Sequence, residues 1–395
     1  MDFSLTEEQQ MLQDSVERYL EKNYSFELRR SMVDERQAMS EEIWKGMSEL
    51  GLLGVPFSDE YGGFGGGGIE TMLVMEAIGK HLVMEPYLST VIMVGGLVDI
   101  GAAEWQKKIL LPGIVNGSML LAFAHYERES RYDLGHVGTR ATLDGNVWVL
   151  EGKKTLVMHA PVAEKLIVSA RTEGEPGDRD GVSLFIVECD EENLGGQEYP
   201  LFDGTRALEV QLNGVRVGPE SVIGTINGAM PLIEKVADRA MAALCAEAVG
   251  LMGAVYSMTL EYLKTRQQFG IPIGKFQVLQ HRTVDMLIHL EEARSMSILA
   301  AGKVDSDNAF ERRRAVTAAK ALIGRAGRYI GQEAIQLHGG MGMTDELPLG
   351  HYVKRLAAID VLFGDATYQR SQFAQLREDT AATEFVQPRK AWKQI

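Results

Sequence analysis

Cysteine is nearly absent: Cys189 and Cys245 are the two in 395 residues. Such a pair cannot build a disulfide framework, and it forms no metal-ligand spacing with the histidines, so buried inert thiols and no metal centre are expected. No HExxH and no Walker loop occurs, which excludes by motif a zincin-like site and a P-loop nucleotide site. Basic residues are outnumbered, 40 against 55 acidic, for a net charge of −15. That balance speaks against nucleic acid or an anionic membrane as partner. No signal-peptide pattern and no apolar run of transmembrane length is read, and with so little cysteine a reducing cytoplasm is the expected location. The glycine run Gly62 to Gly68, broken by Phe64, follows no predicted strand and reads as a flexible loop rather than a phosphate cradle.

What is present is a globular composition, 45% hydrophobic and 24% charged, long enough for two or three domains. Residues 1–118 read helical. Thr6 with Gln9 fits a capping box, and Leu12, Val16 and Leu20 then recur on one helical face. Glu41–Leu52, Ile69–Leu82 and Trp105–Val115 continue that pattern. Near Met119 the texture changes. Asp144-Gly145 signals a hairpin, and Val147–Leu150, Leu166–Ala170, Val182–Val187 and Leu208–Leu212 read as strands, giving a small β-domain over 119–229. Residues 230–395 return to long helices, predicted from Met230 to about Arg266, from Phe276 to about Asp305, and up to His338. The fold class is therefore mainly α with a small β-domain: an N-terminal helical domain, a middle β-barrel-like domain and a C-terminal four-helix bundle. The tail after Asp379 lacks periodicity and reads as loosely ordered or an oligomer contact.

Four motifs stand in a fixed order. Glu60-Tyr61-Gly62-Gly63 precedes a helix holding Glu76-Ala77-Ile78-Gly79; Arg266-Gln267-Gln268-Phe269-Gly270 leads to Phe276-Gln277; Gln336-Leu337-His338-Gly339-Gly340 closes a helix; and Lys354-Arg355 precedes Phe363-Gly364-Asp365. Each is weak alone, but the ordered set resembles the acyl-CoA dehydrogenase family from about residue 3 to about residue 375, including the bacterial branch that handles bulky or dicarboxylic acyl-CoAs. The resemblance implies FAD and α,β-dehydrogenation of an acyl-CoA thioester to the trans-2-enoyl-CoA. A base takes the α-proton, the β-hydride passes to the flavin, and electrons leave to an electron-transfer flavoprotein. It also implies a homotetramer or an α2β2 heterotetramer. CoA is anionic, so its site requires a local basic patch on this acidic surface.

Here the sequence departs from the family. The usual glutamate lies nine residues after the arginine matching Arg355, and that place holds Gly364, followed by Asp365. Gly364 keeps the family's backbone donor to the thioester oxygen but supplies no base. Some relatives carry the base at the position of Ala240, and Glu247 lies two turns further on nearly the same face, among Ala243, Gly250 and Ala254. Glu247 and Asp365 are the candidate bases. Asp238 is a weaker one, expected to point away from that face toward solvent, and a chain with no base at all is a further alternative. For FAD, Phe123, His125 and Tyr126 match the strand facing the flavin ring, while Leu156 and Met158 replace a tryptophan and a threonine, and Arg128 to Asp133 replaces a Gly-Ser-Asp. Arg266, Gln268, Phe269 and Phe276 match the dinucleotide half; Gln336, Gly339 and Gly340 match residues reaching it from a neighbouring subunit. Two rivals stay open: a non-catalytic partner subunit, and a helical binding protein without flavin.

Overall fold

The structure is a computed structural model and describes residues 4–190 and 192–376. The tail after Asp379 lies outside the described residues. The chain begins with α1 (Glu7–Asn23), and the expected capping box is formed: the Thr6 side chain accepts from the Gln9 amide and the Gln9 side chain accepts from the Thr6 amide. Serines cap the next two helices, Ser25 on α2 (Phe26–Asp34) and Ser40 on α3 (Glu41–Glu49). After α4 (Gly68–His81) comes a fully buried π-helical run, Tyr87–Gly95, which passes directly into α5 (Gly96–Gly101) and then α6 (Glu104–Val115).

The middle of the chain is one sheet built from β1 (Leu121–Ala124), β2 (Arg140–Asp144), β3 (Val147–Met158), β4 (Lys165–Arg171), β5 (Val182–Glu188), β6 (Leu194–Pro200), β7 (Arg206–Val217) and β8 (Val222–Ile223). Its order is β6-β7-β3-β2-β4-β5-β8, with β1 pairing parallel to β4. The two-residue link after Asp144 makes the expected hairpin, with Asp144 opposite Val147. The described strands follow a path whose ends, β6 and β8, do not pair with each other. Its inner side packs Leu150, Val157, Leu166, Phe185 and Val210 into a core of its own.

Among the described residues five helices follow: α7 (Met230–Thr265), α8 (Gln277–Lys303), α9 (Ala309–His338), α10 (Leu349–Val361) and α11 (Ala366–Gln375). A short hairpin, β9 (Gln267–Gln268) with β10 (Ile271–Pro272), joins α7 to α8. The architecture is thus helical at both ends with a central β-sheet. Contrary to the sequence reading, α7 is long and apolar enough, by length and composition, to cross a membrane. Its most apolar window is 72% buried within the fold, so the same apolarity serves as core. It contacts α4, α8, α9 and α10, which explains why nearly every residue from Val236 to Met252 is buried.

Candidate active site

A small apolar cavity opens where the end of β1, the bulged part of β3, the π-helical run, the first turns of α7 and the α10–α11 link meet. Phe123, His125, Tyr126, Leu156 and Met158 line it from the sheet, Met93, Val236 and Ala237 from the helices, and Phe363 from the link. Phe123 and His125 stack with ring centres 5.2 Å apart. Behind them the sheet is unexpectedly charged. Buried Lys154 donates to the Glu127 carboxylate at 2.7 Å, to Ser169 Oγ at 3.0 Å and to the His125 carbonyl at 3.2 Å. Burial pushes the Lys154 ammonium down to about 8 although Glu127 pulls it up. Burial also raises the Glu127 carboxyl, but Lys154 and the Thr139 amide outweigh that and leave it below its usual value. His125 is pushed down to about 3, chiefly by burial and then by Lys154, so it is neutral at pH 7. Its Nδ1 lies 2.9 Å from Ser169 Oγ. Nothing in the sequence marked Lys154, since it sits in a Lys153-Lys154 pair that reads as solvent-facing.

Tyr126 packs edge-on to Phe363 at 5.7 Å. Its hydroxyl is buried without a hydrogen-bond partner among the described residues, the nearby Phe363 backbone falling short of bonding geometry. A buried donor left unpaired costs about 1–3 kcal/mol, so the site calls for something to fill it.

Among the described residues, no carboxylate lines this cavity. At Gly364 the backbone φ is +103°, and a Cβ there would stand 2.3 Å from the Tyr368 ring, so the family's glutamate has no room. The Gly364 amide, the expected backbone donor, makes a long 3.3 Å turn bond to the Val361 carbonyl. Fully buried Lys320 holds the link in place by donating to the Asp360 carbonyl at 2.9 Å and the Gly364 carbonyl at 3.2 Å. Asp365 caps α11, accepting from the Thr367 and Tyr368 amides at 2.9 and 2.8 Å. Asp238 corrects the sequence reading. It is buried, not solvent-facing, and receives Arg312 at 3.0 Å and Arg313 at 2.6 Å, because α9 packs on the face that helical geometry had assigned to solvent.

Glu247 is buried, but its surroundings are not only small apolar groups. Arg355 grips it with two bonds, 2.6 and 2.9 Å, and reaches Asp203 at 2.9 Å. Burial would lower the Arg355 guanidinium, yet Glu247 and Asp203 raise it above its ordinary value. Glu247 lines a second cavity with Glu85, His159 and Thr205, and Met158 is the wall common to both cavities. Glu85 escaped the sequence analysis. It is buried with no cation beside it among the described residues, and it accepts from the Ser40 and Met84 amides at 3.2 Å each.

The other predicted residues stand at the far end of the C-terminal helices. Arg266 and Gln268 are exposed, and Phe269 is 91% exposed with φ +55°, its ring 6.1 Å from that of half-buried Phe276. Gln336, Gly339 and Gly340 are exposed where α9 ends, as expected, and a Cβ on either glycine would meet nothing within 4 Å. Tyr262, one turn before Arg266, stacks on His338 at 4.4 Å. The two groups therefore share one end of one chain. Ala237, on the cavity wall, lies near the start of α7, and Arg266 follows its end. At ~1.5 Å per residue that is ~40 Å of helix.

Known proteins match this chain along nearly its whole length. The acyl-CoA dehydrogenase N-terminal, middle and C-terminal domain profiles match residues 6–118, 122–215 and 230–376. The probable acyl-CoA dehydrogenase YngJ of Bacillus subtilis is 29% identical over 95% of this chain and 99% of its own. Acyl-CoA dehydrogenase FadE12 of Mycobacterium tuberculosis is 30% identical over 87% of this chain and 89% of its own. Among solved structures, the glutaryl-coenzyme A dehydrogenase glutaryl-CoA complex superposes with a TM-score of 0.89 at 26% identity, covering 95% of this chain and 96% of that one. The ChsE4-ChsE5 complex of Mycobacterium tuberculosis gives 0.86 at 25% identity, covering 98% and 100%. The chain belongs to the acyl-CoA dehydrogenase family of oxidoreductases.

Proposed function

We propose that this chain binds FAD and dehydrogenates an acyl-CoA thioester to the trans-2-enoyl-CoA, with electrons passing to an electron-transfer flavoprotein in the cytoplasm. The observation that carries the reading is the cavity between the Phe123–Tyr126 wall and the Phe363–Gly364 link, with an unpaired Tyr126 hydroxyl. Phe123, His125 and Tyr126 would flank the flavin ring, which when bound supplies the hydride acceptor. Arg266, Gln268, Phe269 and Phe276, with Gln336, Gly339 and Gly340, would hold the dinucleotide half. These two sets lie ~40 Å apart in one chain, well beyond the span of an extended FAD, so a second copy or a homologous chain completes each site. Domain limits at 118 and 229 separate the three parts.

The base of this reading is Glu247 once Arg355 releases it, or Asp365 once it leaves its cap. A second reading has an observation in its favour: among the described residues no carboxylate lines the ring cavity, which suits a partner subunit of an α2β2 assembly whose competent chain carries the base. One of the similar structures is itself a complex of two named chains.

Anaerobic bleaching of the flavin by a panel of acyl-CoAs, with the chain expressed alone, tests the first reading. Bleaching is the expected result. No bleaching until a second chain is added moves the reading to the partner subunit. Exchange of the α-proton in heavy water then locates the base. Glu247→Gln should bind FAD and acyl-CoA but lose about 10²–10⁴ in exchange rate, with Asp365→Asn within about tenfold; the reverse pattern moves the base to Asp365.

A further inference from the structure

The loop after β1, Arg128 to Asp133, is where the sequence departs from the family, and the structure shows what stands there. A cavity of about 210 Å³ lies beside the ring cavity and shares Tyr126, Leu156 and Phe363 with it. Its remaining wall carries Arg128, Arg131 and Tyr132. Both arginines are exposed, and neither makes an ion pair or side-chain hydrogen bond among the described residues. On a chain of net charge −15, two free guanidinium groups converging on one cavity call for an anion. The carboxylate on the same wall, Glu127, does not answer that call, because Lys154 and the Gly138 and Thr139 amides already occupy it.

The backbone that carries those arginines is fixed by hydrogen bonds within the loop. Buried Ser130 donates to the Glu127 carbonyl at 2.7 Å and accepts the Glu127 amide at 3.2 Å, and the Asp133 amide closes on the Ser130 carbonyl at 2.9 Å. Glu127 ties the far end of the loop through Gly138 at 2.7 Å and Thr139 at 2.9 Å. Arg131 is held with φ +49°, a backbone that a non-glycine residue adopts only where its surroundings impose it. We propose that Arg128 and Arg131 form a diphosphate clamp at the mouth of this cavity, gripping the diphosphate of a bound adenine nucleotide, that of FAD or that of acyl-CoA. Guanidinium forks suit phosphate oxygens better than ammonium does, since each can give two parallel N–H···O bonds. The inference rests on the proposed nucleotide-dependent reading but reports on binding, not turnover.

The test uses the full chain with Arg128→Gln and Arg131→Gln combined. FAD affinity is read by flavin fluorescence on reconstituting the apoprotein. CoA affinity is read by calorimetry on the holoprotein, with a CoA thioether that cannot be dehydrogenated and with the same acyl group on pantetheine lacking the diphosphate. The expected result is a loss of at least tenfold in one arm, which identifies the source. If it is the CoA arm, pantetheine binding stays within twofold. Arg128→Lys with Arg131→Lys, which keeps the charge but not the fork, should recover part of the loss and melt with the wild type, separating recognition from misfolding. Affinities within twofold of wild type in both arms overturn the clamp, as does equal loss for the pantetheine probe. A wild type that binds both ligands tightly yet never bleaches with any acyl-CoA sinks the catalytic reading and leaves the clamp standing.

Discussion

Gly364 is where the chain abandons the family's glutamate, and its geometry explains why the exchange cannot be reversed by one substitution. With φ +103° and a Cβ position 2.3 Å from the Tyr368 ring, Gly364→Ala should lose about 1–3 kcal/mol from combined strain and overlap. Gly364→Glu should fail to give a working base until Tyr368 is also cut back to Ala. Chemical denaturation of the first and α-proton exchange by the double variant check these two outcomes. Glu85 makes a different prediction. Burial pushes its carboxyl from 4.5 up to about 7, against the pull of the Ser40 and Met84 amides. The folded state therefore holds a proton that the unfolded chain has released. Stability falls as pH rises from about 4.5 to about 7 and is level above, a total loss of about 3 kcal/mol. Glu85→Gln should flatten that part of the wild-type melting curve against pH; an unchanged pH dependence would reject the assignment. These residues also show the limit of reading sites from sequence. Gly364 and Asp365 stand at a fixed count from Arg355, and the Asp365 cap is local, bonding amides two and three residues on, but the grip of Arg355 on Glu247 and the burial of Lys154 arise from chain segments far apart in sequence. No local pattern encodes them.

Among the elements, α7 was the most legible. Its apolar run and small residues announced a long, closely packed helix, and the structure supplies the partner. A Cβ on Gly250 would lie 1.9 Å from the Glu76 carbonyl of α4, and one on Gly79 would lie 2.0 Å from the Glu247 carbonyl of α7. The two helices meet backbone to backbone, which is why the Glu76-Ala77-Ile78-Gly79 stretch was visible as a motif. Backbone cannot yield as a flexible side chain can, so Gly250→Ala should cost about 1–3 kcal/mol, or more if the helices are forced apart. It should lower Tm and tilt Glu247, which is anchored on the same turn. An unaltered Tm would show that the helices separate freely. Less legible was β6, a largely exposed strand with no clean alternation to reveal it; β2 shows through the Asp144-Gly145 turn signal and β1 through the resemblance alone. The π-helical run Tyr87–Gly95 was equally hidden, since buried apolar residues carry no period that separates π from α.

At the scale of the whole molecule, the distance along α7 becomes a statement about assembly. The ring cavity sits at its start and Arg266 beyond its end, with Gln336 and Gly340 brought to that same end by the Tyr262–His338 stack. The sequence reading places Arg266 to Phe269 on one chain and Gln336 to Gly340 on another; the Tyr262–His338 stack brings both sets to one end of one chain, and in the proposed assembly they would face the ring cavity of a second. Arg266→Ala alone removes a charge-assisted phosphate contact, roughly 1.5–3 kcal/mol, or on the order of ten- to a hundredfold in FAD affinity. Phe123→Asp alone should damage the ring wall to a comparable degree. Mixing the two variants distinguishes a shared site from a site within one chain. In a two-fold hybrid, one site inherits both lesions and the other inherits neither, because its wall comes from the Arg266→Ala chain and its hairpin from the Phe123→Asp chain. Random reassembly of equal amounts makes about half the pairs hybrids, so about a quarter of all sites should regain wild-type FAD affinity. A site complete within one chain would show no recovery at any mixing ratio, and a strictly monomeric protein with full FAD would remove the argument at its root. Flavin fluorescence after unfolding, mixing and refolding the pair reads the recovered fraction directly.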